Sequence, residues 1–138
     1  MKVKKSQISI EYLIIIGFVT FILISILGVA FYYSGGIKDK IRVVQLNNFA
    51  NKIISTSESV YYYGRPSKAT ISVYLPENVR EITISENNLF ITSQTSSGLE
   101  KTSFTSKVPI EGTLSINSGI KKIEIVAEED KATIGLVS

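Results

Sequence analysis

Hydrophobic residues fill one unbroken stretch near the start of the chain. From Tyr12 to Tyr33 the sequence reads YLIIIGFVTFILISILGVAFYY, 22 residues without a charged side chain. A helix of that length spans the roughly 30 Å hydrocarbon core of a bilayer, because each residue adds about 1.5 Å. We therefore predict a helix over residues 7–33 that crosses a membrane or packs against other helices.

Small residues mark one side of this predicted helix. Gly17, Thr20 and Gly28 fall close to one face at helical spacing, and small residues allow two helix backbones to approach closely. The spacing predicts helix–helix contact along that face. The alternative is that glycine is simply common in membrane helices.

The next segment, residues 34–66, is amphipathic. Its Gly35-Gly36 pair predicts a kink or local melting, since each glycine weakens a helix interior. Beyond this pair, Gly64-Arg65-Pro66 predicts the end of the helix. Between them an apolar stripe recurs at steps of three and four on an otherwise polar helix: Val43, Leu46, Ala50, Ile53, Ser57 and Val60.

Residues 67–138 change to a period of two, which is typical of strands. Apolar and polar positions alternate in five short runs separated by turn-forming residues: Ile71–Leu75, Ile82–Ile84, Leu114–Ile116, Ile123–Ile125 and Ile134–Leu136. Seventy-two residues bury only a modest core, so the stripe of the preceding helix is the expected cover for the sheet. The predicted fold class is α+β, a long N-terminal hydrophobic helix followed by a small antiparallel β-sheet or sandwich domain.

Composition and charge narrow the chemistry. The chain has no cysteine and no histidine, which excludes thiolate nucleophiles, His-based catalysis and the most common transition-metal ligands. We expect neither an enzyme nor a cofactor. The 15 basic and 12 acidic residues give a net charge of +3, and the three lysines within residues 1–6 account for all of it. We therefore expect no nucleic-acid partner.

The most specific pattern is the N-terminal sequence MKVKKSQISIEYLIII. A short basic leader runs into Gln7, Ser9, Glu11 and Tyr12, and the apolar stretch follows at once. This arrangement resembles the class III signal peptide of archaeal type IV pilin-like proteins, whose mark is a Gln-x-Ser-x-Glu-Tyr core. The resemblance is close over about the first 30 residues and looser over the helix and β-domain beyond them.

The resemblance implies a processing step. In that family a membrane-embedded prepilin peptidase cleaves before the glutamine, on the cytoplasmic side, and the hydrophobic helix stays on the mature protein. Cleavage would therefore fall between Ser6 and Gln7 and remove residues 1–6 as a leader. The residue before the cut is usually glycine in the family, whereas Ser6, another small residue, stands there in this chain.

Glu11 places an isolated carboxylate at the start of the apolar stretch. It is the only acidic residue between Gln7 and Asp39, and a carboxylate at the head of an apolar stretch needs a partner near lipid. In pilin-like filaments this glutamate is thought to neutralise the N-terminal amine of a neighbouring subunit, and the resemblance implies that role here. The alternative is that Glu11 lies at headgroup level beside Lys4 or Lys5.

The resemblance further implies a structural subunit of a surface filament that serves adhesion or attachment. Its partners would be copies of itself, other pilin-like subunits, the prepilin peptidase and the membrane. The protein would lie in the cell membrane before assembly and then in an extracellular filament, with the β-domain outside.

Three alternatives remain open from the sequence. The first, from a different functional class, is a single-pass membrane-anchored module whose β-domain binds a ligand. The second is an ordinary secretory signal cleaved near Gly28-Val29-Ala30, although the apolar stretch is long for one. The third is an archaellum-type motility filament, whose leader usually carries glycines where this chain has the Gln-Ser-Glu-Tyr core.

Overall fold

The computed structural model describes the backbone from Val3 to Val137 and the side chains from Ser9 to Val137. The chain forms two compact units, Met1–Lys38 and Asp39–Ser138. The elements are α1 (Val3–Tyr63), β1 (Lys68–Leu75), β2 (Val79–Ser85), β3 (Asn88–Thr95), β4 (Gly98–Thr105), β5 (Ile110–Gly112), β6 (Gly119–Ala127) and β7 (Ala132–Leu136).

Helical hydrogen bonding in α1 continues through Gly35 and Gly36, so the predicted melting there is wrong. Two glycines cost a helix about 2 kcal/mol. An interruption would leave up to four unpaired groups at each new helix end and would require a second nucleation. The continuous helix therefore has the lower free energy.

The predicted end of the helix is confirmed at Tyr63. Gly64 adopts a φ of 74°, the left-handed conformation in which helices often terminate. Its N–H donates to the Tyr61 carbonyl at 3.0 Å. Pro66 cannot continue a helix because it lacks an N–H.

The strands form two sheets, with the orders β1-β6-β7-β5 and β2-β3-β4. Among the described residues, every strand pairing is antiparallel except the one between β5 and β7, which is parallel. The α+β class is confirmed, since a long apolar helix precedes antiparallel sheets. Where the two sheets meet, β2 contacts β5 and the Ile110 N–H donates to the Glu86 carbonyl at 2.9 Å.

Four of the five predicted alternating runs lie in strands, namely β1, β2, β6 and β7. The run Leu114–Ile116 does not, because residues 113–118 have to cross from β5 past β7 to reach β6. The sequence pattern did not predict strands β3, β4 and β5. In β3 the apolar run Leu89-Phe90-Ile91 occupies both faces of the sheet, which obscures the period of two.

The core of the Asp39–Ser138 unit combines helix and sheet residues. The buried helix positions are Leu46, Phe49, Ala50, Ile53, Ile54, Ser57 and Val60, and they join strand residues such as Leu89, Ile91, Ile123, Ile125 and Ile134. The predicted stripe is therefore confirmed from Leu46 to Val60, whereas Val43 is 41% exposed. The Ser57 hydroxyl donates to the Ile53 carbonyl at 2.8 Å, which satisfies this buried polar group.

Candidate functional site

The apolar part of α1 is not covered by any of the residues that the structure describes. Every side chain from Ser9 to Tyr33 is exposed, including Leu13 at 72% and Phe31 at 78%. Soluble monomers rarely expose contiguous apolar surface of this extent. Among the described residues, α1 is the one helix long and apolar enough to cross a membrane.

The polar residues at the head of this helix are exposed as well. Ser9, Glu11 and Tyr12 all point away from protein contacts, and Tyr12 is 66% exposed. The side chains of Ser6 and Gln7, between which cleavage is predicted, lie outside the described residues. Gln7 and Glu11 are four positions apart, so an amine created at Gln7 would lie one helical turn from the carboxylate.

The small-residue face can be located on the helix. At about 100° per residue, Gly28 lies about 20° around the helix axis from Gly17, and Thr20 lies about 60° to the other side. A Cβ added at Gly17 or Gly28 would have no neighbour within 4 Å. The face is therefore open to a partner, and the predicted helix–helix contact stays a prediction.

Two carboxylates of α1, Asp39 and Glu58, hold strand β4 at its two ends, a role that we did not predict from the sequence. At one end, Asp39 Oδ2 accepts hydrogen bonds from the backbone N–H of Ser96, at 3.2 Å, and from its hydroxyl. The Arg42 guanidinium lies 3.5 Å from Asp39 Oδ1. The hydrogen bonds from Ser96, helped by the charge of Arg42, lower the pKa of Asp39 from its usual value.

At the other end of β4, Glu58 Oε1 accepts a hydrogen bond from the Lys107 N–H at 2.8 Å. Asp39 and Glu58 are the only acidic residues in the segment 34–66. Their partners come from 57 and 49 residues further along the chain. The two contacts fix the position of this part of the helix along β4.

In the acidic turn between β6 and β7, Lys131 forms ion pairs with two glutamates. Lys131 Nζ bonds to a carboxylate oxygen of Glu111 and lies 3.9 Å from Glu128 Oε2. The hydrogen bond that Lys131 donates to Glu111, together with the nearby negative charges, raises the pKa of Lys131. Among the described residues, no group of three acidic side chains is placed to hold a metal ion.

No protein-family model, curated protein or solved structure matches this chain.

Proposed function

We propose that this chain is a structural subunit of an archaeal type IV pilus-like surface filament, assembled through its N-terminal helix. The observation that carries the proposal is the completely exposed apolar surface from Ser9 to Tyr33 on a chain that also folds a compact unit from Asp39 onward. Such a surface requires lipid or other helices around it. In a filament subunit, lipid surrounds this surface before assembly and the helices of other subunits surround it afterwards.

The helix would leave the bilayer during assembly without losing apolar contacts, because neighbouring helices replace the lipid chains. Association between apolar helices in that setting depends on close packing rather than on a hydrophobic driving force. The open face around Gly17 and Gly28 provides room for close packing.

Glu11 would supply the polar part of this assembly. Cleavage before Gln7 creates a positively charged amine at the head of an apolar helix, and an unpaired charge there is costly to bury. The Glu11 carboxylate of a neighbouring copy would neutralise it. Because no other acidic residue occurs before Asp39, this pairing has one candidate in the apolar part of the helix.

Electron microscopy of cells that make the protein tests the proposal. Gold-labelled antibodies against the Asp39–Ser138 unit should decorate filaments that mechanical shearing removes from the cell. A Gly17→Leu/Gly28→Leu variant should remain in the membrane and form few filaments, because the larger side chains hold helices apart. The matched variant Ile16→Leu/Leu27→Ile should form them normally. Gold spread evenly over the cell envelope, without filaments, would instead favour the membrane-anchored binding module.

A further inference from the structure

Two sheet edges of the Asp39–Ser138 unit are open. The edges formed by β2 and β5 contact each other where the two sheets meet. In the described part of the chain, β1 and β4 are therefore the outer ends of a row of seven strands. Each is eight residues long, and an unpaired strand of that length is a template for another strand.

The hydrogen-bonding phase shows which residues of β1 face the open edge. The Ala127 N–H donates to the Ser67 carbonyl at 2.9 Å, so these two residues form a hydrogen-bonded pair of the antiparallel ladder with β6. Such pairs alternate with non-hydrogen-bonded ones. The β1 residues whose N–H and C=O groups point away from β6 are consequently Lys68, Thr70, Ser72 and Tyr74.

The same reasoning applies to β4. The Ser106 N–H donates to the Asn87 carbonyl at 2.7 Å, which fixes the phase of the ladder with β3. The residues that direct their backbone groups to the open edge are Leu99, Lys101, Ser103 and Thr105. Each edge thus presents four residues with free donors and acceptors at every second position.

Apolar side chains favour one alignment of the two edges. If β1 of one copy runs antiparallel to β4 of another with Tyr74 opposite Leu99, then Thr70 lies opposite Ser103. Within its own sheet Tyr74 is already opposite Ile120. The alignment would therefore join Leu99, Tyr74 and Ile120 in one row across three strands. These side chains are 68%, 43% and 78% exposed in the single chain, and neighbouring apolar side chains on a sheet face stabilise one another.

Charges on the other face of the sheet agree with this alignment. Lys52 lines a groove between α1 and β1 together with Val73, and the alignment places Glu100 of the second copy opposite Val73. The ion pairs among the described side chains include neither Lys52 nor Glu100. The contact would bring these two opposite charges to the same side of the joined sheet.

We propose that β1 of one copy pairs with β4 of the next copy, so that the row of strands continues from copy to copy. The β1 edge and the β4 edge are different surfaces, so a row of joined copies always has one unpaired edge at each end. The contact therefore produces an extended row of copies rather than a closed dimer. The proposal relies on the proposed function for its setting, in which the helices hold copies side by side. The contact itself is made by the β-unit alone.

Cysteine cross-linking tests this contact directly, because the natural chain contains no cysteine. Full-length protein carrying Thr70→Cys and Ser103→Cys is oxidised in membranes and in the sheared fraction, then separated on a non-reducing gel. Opposed residues of a hydrogen-bonded pair have Cα atoms about 5.5 Å apart, which suits a disulfide. We expect a ladder of dimers, trimers and larger species that a reductant collapses to the monomer.

Control variants separate the proposed contact from others. Thr70→Cys alone and Ser103→Cys alone should give no ladder, and neither should Thr83→Cys/Ser103→Cys, which moves one thiol to an exposed position on β2. Dimers from Thr70→Cys alone would indicate symmetric pairing of two β1 edges and would overturn the proposal. Absence of a ladder from the double variant, or an equal ladder from the Thr83 control, would overturn it too.

Microscopy of the same samples keeps the two proposals distinguishable. Normal filaments without a ladder would remove the edge contact and leave the filament function standing. A ladder in membranes of cells that form no filaments would support the edge contact and contradict the filament function.

Discussion

Asp39 and Ser96 are 57 positions apart in the sequence, and Asp39 Oδ2 accepts two hydrogen bonds from Ser96. This contact lies at the first residue of the compact Asp39–Ser138 unit. It ties the tip of the β3–β4 hairpin to the helix where that unit begins. At the other end of β4, Glu58 likewise accepts a hydrogen bond from a backbone N–H, that of Lys107.

The Asp39 contact predicts a specific dependence of stability on pH. Its pKa is lowered in the folded chain, so the ionised carboxylate favours folding. The contribution is complete above the usual carboxyl pKa of about 4 and is lost as the pH falls through the lower folded value. Asp39→Asn should have a lower unfolding temperature than the natural chain at pH 7. At pH 2 the difference between the two unfolding temperatures should be smaller.

Thermal unfolding of the full chain in neutral detergent, followed by circular dichroism, provides the measurement. Glu77→Gln is the matched control, because Glu77 is an exposed carboxylate in the turn between β1 and β2. If Asp39→Asn and Glu77→Gln have the same unfolding temperature at every pH, the hairpin is not held by Asp39.

Gly112 is predicted to tolerate no side chain. Its φ is 150°, and an added Cβ would lie 2.0 Å from the Ile134 carbonyl oxygen across the parallel β5–β7 pair. Gly112→Ala should therefore lower the free energy of unfolding by about 2 kcal/mol or more. Gly135→Ala, where an added Cβ has no neighbour within 4 Å, should change it by less than about 0.5 kcal/mol. Equal denaturation midpoints for the two variants would show that β5 does not approach β7 this closely.

Phe49 tests whether the helix supplies the core of the β-unit. It is 1% exposed, so Phe49→Ala should cost about 3–5 kcal/mol through lost burial and the cavity that remains. Val44 lies one and a half turns earlier and is 57% exposed, so Val44→Ala should leave the stability nearly unchanged. Chemical denaturation of the full chain in detergent measures both, and similar losses for the two variants would place the core elsewhere.

Features that depend on residues close together in the sequence could be predicted from it. The helix end at Gly64 and the stripe from Leu46 to Val60 depend on local conformation and on a period of 3.6, which can be read directly from the residues. Phe49 and Ile54 were missed because the width of the buried face depends on the sheet that covers it. Val43 is exposed for the same reason: it belongs to the apolar stripe in the sequence, but the sheet does not cover the helix at that position.

Contacts between distant segments could not be predicted in this way. The parallel pairing of β5 with β7 depends on the route by which residues 113–118 cross the sheet. The roles of Asp39 and Glu58 depend on N–H groups of Ser96 and Lys107, far along the chain. Their isolation as the only acids in an otherwise basic helical segment was the available signal.

Glu11 provides the sharpest prediction for assembly. Glu11→Gln keeps nearly the same shape and still accepts a hydrogen bond, but it removes the negative charge that would neutralise a neighbouring amine. The variant should be processed to the expected mass and remain in the membrane, with few filaments on the cell surface. Counting filaments in electron micrographs against Ile10→Leu, which leaves both the charge and the motif residues intact, provides the comparison. Abundant normal filaments from Glu11→Gln cells would refute the charge-pairing role.

If the chain is a processed filament subunit, the protein sheared from cells has a defined N-terminus. Intact mass and N-terminal sequencing of the sheared fraction should show a chain that begins at Gln7 and retains the apolar stretch Tyr12–Tyr33. A chain that begins at Met1, or one that begins at Phe31 after removal of the apolar stretch, would show that the protein is not a processed filament subunit.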